Sequence, residues 1–195
     1  MSTRTSQIGE RLRHSIHIGG VYASRQPTAI QTVLGSCIAV CLRDPITRIG
    51  GMNHFMLPQG HGDDGDSTRY GINAMELLIN ECMKAGAERS RLEAKVFGGG
   101  HVLQIQETAD NVPKRNIEFA YQFLQTESIP IIGRDVGGYD ARKILYFTDC
   151  GRTLLKRLPR EDNTTLQAMR QREQSALRSL PKREIMSEND NVTLF

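Results

Sequence analysis

The sequence has no tryptophan, and aromatic residues make up only 6% of it. It lacks any apolar run near the roughly 18 to 20 residues of a membrane-spanning helix, which excludes a chain that crosses a bilayer on helices. Its opening, MSTRTSQIGERLRHSIHIGG, holds no apolar stretch of the roughly 7 to 15 residues that a secretory signal uses, so a cytoplasmic location is expected. Charge of one sign is not in excess: 25 Lys and Arg stand against 22 Asp and Glu. Without a concentrated basic stripe, nucleic-acid binding is not the default reading. There is no Cys-x-x-Cys pair, and in a reducing compartment Cys37, Cys41, Cys82 and Cys150 are expected as thiols. Phosphate-loop and dinucleotide-binding glycine patterns are also missing, so the triplet Gly98–Gly99–Gly100 reads as a sharp bend or a close backbone approach.

Zinc is the cofactor that the residue types could suggest, since Cys37, Cys41, His54 and His61 are near one another in sequence. Cys37, Cys41 and His54 lie in strand-like sequence, where side chains four apart stand about 13 Å apart on one face. That separation is too wide for two bonds of about 2.3 Å to one ion. Neither a metal nor an organic cofactor is expected.

What is present reads as strands with two helices. Residues 1–14 are polar without an apolar period and read as a mobile arm. Residues 15–22 alternate as a short strand and 30–33 are β-branched. IAVCLR (38–43) is apolar on both faces, as a strand buried on two sides would be. Asp44–Pro45 initiates a turn, and RIGGMNHFML (48–57) returns as the partner strand. A helix is expected over 69–85 on a stripe of Ile72, Met75, Ile79, Cys82 and Met83, ending at Gly86. RLEAKVFGGG (91–100) reads as a strand running into the glycine triplet, and a helix from Pro113 to about Glu127 and strands at 129–135, 143–148 and 153–158 follow. After Pro159 the composition turns charged and polar, reading as a mobile tail over 159–195. The elements do not alternate as strict βαβ units, which points to an α+β fold with an antiparallel β-layered core and helices outside. One domain over 15–158 is expected.

The chemistry concentrates in the first long hairpin. A turn at 44–47 would set Cys37 directly opposite His54 on one face, with Cβ atoms about 5 Å apart. That spacing suits a thiol and an imidazole acting as nucleophile and base. Gly35–Ser36 ahead of the thiol permits a sharp turn whose backbone N–H groups could hold an oxyanion, worth about 3 kcal/mol per donor. Cys41 and Cys82 read as core, and Cys150 as an exposed turn residue without a role.

The segments TVLGSCIAVCLRDP, GGMNHFMLP, YGINAMELLINECMKAGAERSRLEAKVFGGG and KRNIEFAYQFLQTESIPIIGRDVGGYDARKILYFTDCGRTLLKRL occur in this order. Together they resemble the bacterial chemoreceptor glutamine deamidase family, CheD, over about residues 16 to 158. The resemblance implies a β-sandwich core flanked by helices, similar to the catalytic domains of deamidating toxins. It implies hydrolysis of glutamine side chains on methyl-accepting chemotaxis receptors to glutamate, with release of ammonia and regulation of adaptation. The family's nucleophile matches Cys37 and its base His54. Its third residue, a threonine six positions before the cysteine, falls on Gln31, while Thr32 stands five before; either is the candidate. The resemblance also brings an alternative, a non-catalytic regulatory module that docks a chemotaxis phosphatase or a receptor. A cysteine peptidase or transferase would use the same pair.

Overall fold

In the computed structural model, residues 11–57, 64–102 and 111–158 are described, with the isolated positions 167, 168, 171 and 175. The expected arm up to residue 10, the loop carrying His61, and the expected tail apart from those four positions lie outside the described residues.

Two sheets organise the chain. The first has the order β1 (Leu12–Ser15), β3 (Thr28–Leu34), β8 (Ala141–Phe147), β9 (Thr153–Leu158). The second runs β2 (Val21–Ser24), β5 (Ile49–Asn53), β4 (Ile38–Asp44), β6 (Glu93–Gly98), β7 (Ile131–Val136). Helices α1 (Asp64–Ala85) and α2 (Val112–Thr126) complete the α+β fold, with a 3-10 turn at Arg89–Arg91. Most strand pairs are antiparallel; β1 with β3 and β6 with β7 are parallel. Among the described residues no helix is long and apolar enough to cross a membrane.

The double apolar face of β4 follows from its place in the middle of the five-stranded sheet. Ile38, Val40 and Leu42 turn to the helices, where they meet Met75, Leu78, Ile79 and Leu124. Cys37, Ala39 and Cys41 turn the other way and pack with Ile30, Leu34, Ile144 and Tyr146 of the four-stranded sheet. The result is three layers: helices, five strands, four strands. Each fully buried aliphatic side chain contributes about 1.5–3 kcal/mol to holding them together.

Several expectations are corrected. Residues 15–22 are not one strand: the chain turns at 18–19, with Gly19 at φ +80°, and passes from β1 in one sheet to β2 in the other. Strand β1 begins at Leu12, inside the stretch read as an arm, because it pairs with β3. Helix α1 starts earlier than 69, and its buried stripe is Met75, Leu78, Ile79 and Cys82, while Ile72 and Met83 are exposed. Strand β5 ends at Asn53, with only an isolated bridge between Phe55 and Ile38 beyond it.

Candidate active site

Cys37 sits where the chain crosses between sheets, at the end of the Gly35–Cys37 bend that joins β3 to β4. All three carbonyls of this bend are held from outside. Gly100 N–H donates to the Gly35 carbonyl (2.7 Å), Asn116 Nδ2 to that of Ser36 (2.9 Å), and Gly99 N–H to that of Cys37 (2.7 Å). This accounts for the glycine triplet. At Gly98, φ is +116° and a Cβ would lie 2.1 Å from the Cys37 carbonyl oxygen; at Gly99, φ is +64° and a Cβ would strike Ile117. Only glycine lets the end of β6 lie this close behind the bend. The Cys37 side chain is fully buried, its Sγ 3.7 Å from Met56 Sδ, which also lies 3.6 Å from Ser36 Oγ.

The hairpin register differs from the sequence expectation by two residues. Cys41 pairs with Met52 and Asp44 with Ile49, so the turn spans 45–48 and the position opposite Cys37 is Met56, not His54. A shift of two preserves the face in a strand of period two. His54 therefore stands diagonally from Cys37 on the same side of the sheet, a relation of about 7–8 Å between backbones that long side chains bridge. The ladder opens at this point because the Asn53 side chain replaces main-chain pairing. Its Oδ1 accepts from Val40 N–H (2.9 Å) and its Nδ2 donates to the Ala74 carbonyl (3.0 Å), tying β4 to α1. His54 pairs its backbone to the other side, exchanging bonds with Gly19 and Gly20.

The imidazole of His54 crosses the interface between the sheets. Thr32 Oγ1 on β3 lies 2.8 Å from His54 Nδ1 and 2.8 Å from the Ile16 carbonyl oxygen. A threonine hydroxyl has one proton. It donates that proton to the Ile16 carbonyl and so accepts from His54 Nδ1–H, which leaves the lone pair on Nε2. Nε2 is buried and has no hydrogen-bond partner among the described residues. Burial, with a smaller contribution from His17, pushes the His54 pKa down to about 3. The ring is a neutral imidazole with a bare basic nitrogen inside the sandwich.

Of the two threonine-position candidates, Thr32 reaches the histidine; Gln31 turns outward and donates from Nε2 to Ser15 Oγ (2.7 Å). Cys41 and Cys82 are buried thiols raised by burial, Cys82 to about 12, and Cys150 is exposed. Among the described residues no group of three or more His, Cys, Asp or Glu could hold a metal ion. Sequence reasoning missed Asn116, which is fully buried on α2 and touches both the Gly35–Cys37 bend and the segment after His54. A signal existed: a polar residue interrupting the apolar row Val112, Ala120, Phe123 of an amphipathic helix.

Comparison with known proteins adds the lineage. The family model for CheD chemotactic sensory transduction matches residues 56–157. A probable chemoreceptor glutamine deamidase CheD of Stenotrophomonas maltophilia (strain K279a) is 57% identical over 132 residues, 68% of this chain and 66% of that protein. The protein of the same name from Thiobacillus denitrificans is 48% identical over 165 residues, 83% of this chain and 81% of the relative. The chain thus spans slightly under two thirds of the Stenotrophomonas protein's length. Among solved structures, the Bacillus licheniformis hypothetical protein YfiH is 16% identical with a TM-score of 0.40, covering 64% of this chain and 59% of that one.

Proposed function

Since this chain belongs to the CheD family, we propose that it hydrolyses the carboxamide of glutamine side chains on methyl-accepting chemotaxis receptors, yielding glutamate and ammonia. The observation that carries the reading is the buried Nε2 of a neutral His54, without a partner among the described residues and on the same sheet face as the Cys37 thiol.

Each residue takes a distinct part. His54 Nε2 accepts the thiol proton as Cys37 Sγ bonds to the amide carbon. The ring is neutral and so can take the proton, and the thiolate that forms beside it favours the imidazolium that burial alone disfavours. Thr32 fixes the tautomer by taking the Nδ1 proton. The N–H groups of the Gly35–Cys37 bend are the donors for the tetrahedral oxyanion. Collapse breaks the carbon–nitrogen bond, and the imidazolium gives its proton to the departing ammonia. Water, deprotonated by the same Nε2, then cleaves the thioester to release glutamate and restore the thiol. No step requires a metal or an organic cofactor. Each turnover replaces a neutral amide with a carboxylate on the receptor's cytoplasmic helices, which changes their electrostatics and hence adaptation. Work on such a substrate is done in the cytoplasm, and residues 15–158 hold the whole of the proposed machinery.

The test is mass spectrometry of a receptor cytoplasmic fragment incubated with the full chain. A gain of about one dalton at particular glutamines is expected, since amide becomes acid, and Cys37→Ala should abolish it without disturbing the fold. A Cys37→Ala protein that still modified the fragment would overturn the mechanism. One that modified nothing yet restored chemotaxis would favour the regulatory module, with a phosphatase or receptor as its docking partner.

A further inference from the structure

We infer that Asn116 is a positioning residue that sets the distance between the nucleophile bend and the base strand, an inference that rests on the deamidase reading above. Its carboxamide makes two bonds of opposite sense. Nδ2 donates to the carbonyl of Ser36, the residue before the nucleophile (2.9 Å), and Oδ1 accepts from Leu57 N–H, three residues beyond His54 (2.8 Å). The side chain is fully buried. Its partners are main-chain groups, so its bonds locate the backbone itself.

The need for such a strut follows from the local pairing. The β4–β5 ladder that would hold Cys37 and His54 in register stops at Cys41–Met52 on the strand side, with the bridge at Ile38–Phe55 beyond. Between these points Asn53 has displaced the main-chain ladder by bonding Val40 N–H with its side chain. The bend is held from behind by Gly99 and Gly100, which fix it to β6, and on the β4 side of Cys37 the reciprocal Ile38–Phe55 main-chain bonds tie it to the base strand. On the other side of Cys37 the tie between Ser36 and Leu57 is the Asn116 side chain. It spans from the Cys37 side to the His54 side through one planar amide, with α2 as the rigid support.

Asn116→Ala removes both bonds without introducing charge. Two measurements on the full chain decide the matter: kcat and KM for ammonia release from the receptor fragment, and the pH profile of Cys37 alkylation by iodoacetamide, read by peptide mass spectrometry. A loss of about 100-fold in kcat is expected with KM within about 2-fold, as for a displacement near 1 Å at the reacting atoms. The alkylation rate should fall by at least about 10-fold across neutral pH as the thiol loses the nitrogen that accepts its proton. Phe123→Leu, a change at a buried residue of the same helix away from the bend, is the control. A purely structural role predicts equal loss in the control at matched stability; wild-type kcat and an unchanged alkylation profile in folded Asn116→Ala would also overturn the inference. If Asn116→Ala does not fold, Asn116→Ser is carried through both measurements, and failure of both to fold makes the residue one of the fold alone. Should the wild-type chain release no ammonia, the deamidase reading falls, while the alkylation profile still reports whether Asn116 holds the thiol in place.

Discussion

At the scale of single residues, the site is decided by the placement of protons. Thr32 has one hydroxyl proton and two neighbours, and its donation to the Ile16 carbonyl leaves it as acceptor for His54. Thr32→Val keeps the shape and removes the acceptor, leaving Nδ1–H buried and unsatisfied, which costs about 1–3 kcal/mol. The tautomer is then no longer fixed, so ammonia release should fall by about 100-fold or more, by analogy with other tautomer-fixing partners. Thr32→Ser should retain most of the activity; urea unfolding and ammonia assays on both variants check this. Cys37 and His54 were readable as a candidate pair, because a thiol after Gly–Ser and a histidine on the returning strand are a recognisable combination, and the register puts both on one face of the sheet. Whether Thr32 or Gln31 reached the ring was not, since that depends on which face of β3 meets the other sheet.

At the scale of elements, the hairpin shows where sequence reading stops. Asp44–Pro45 marks the turn, yet the turn sits one residue later than the pattern implied. Asp44 Oδ1 accepts from Ile46 N–H (2.9 Å) and Thr47 N–H (3.3 Å), and Arg48 N–H closes onto the Asp44 carbonyl (2.9 Å). Arg48 carries φ +59°, a conformation that nothing in an arginine announces. That residue moves the register by two and puts Met56, not His54, opposite the thiol. In contrast, the end of α1 at Gly86 and the central position of β4 were readable. Glycine is the residue that best adopts the left-handed conformation closing a helix, and a strand apolar on both faces must be covered on both. The glycine triplet belongs at this scale too. Gly98→Ala would set a methyl carbon against the Cys37 carbonyl, and the bend would have to move. The variant is expected to lose ammonia release almost completely and to melt well below the wild type, as measured by calorimetry alongside activity.

At the scale of the whole molecule, the three-layer arrangement buries the His54 ring and links it to acid stability. His54 has a folded pKa near 3, against an ordinary value of about 6.5. The unfolded chain therefore binds a proton that the native chain refuses, so stability is full above about pH 6.5 and declines as pH falls toward 3. Over roughly pH 6.5 to 5 the slope should approach about 1.4 kcal/mol per pH unit. The carboxyls of Asp44 and Asp149, held low by Arg91 and Arg11, add their losses only at lower pH. Urea midpoints over this range are expected to fall steadily for the wild type and to stay nearly level for His54→Gln. The α+β class and a layered core were legible from strand alternation and the double apolar face of β4. Which strand belongs to which sheet was not, because it hinges on Gly19 and on parallel pairings between β1 and β3 and between β6 and β7.

The bond between Thr32 and His54 also sits in a sheet that translation completes late. Strand β3 lies between β1 and β8, and residues 141–147 are made long after the Cys37 hairpin. A nascent chain that ends before β8 has β3 paired along one edge only, so the layer that carries the threonine is among the last parts of the molecule to close.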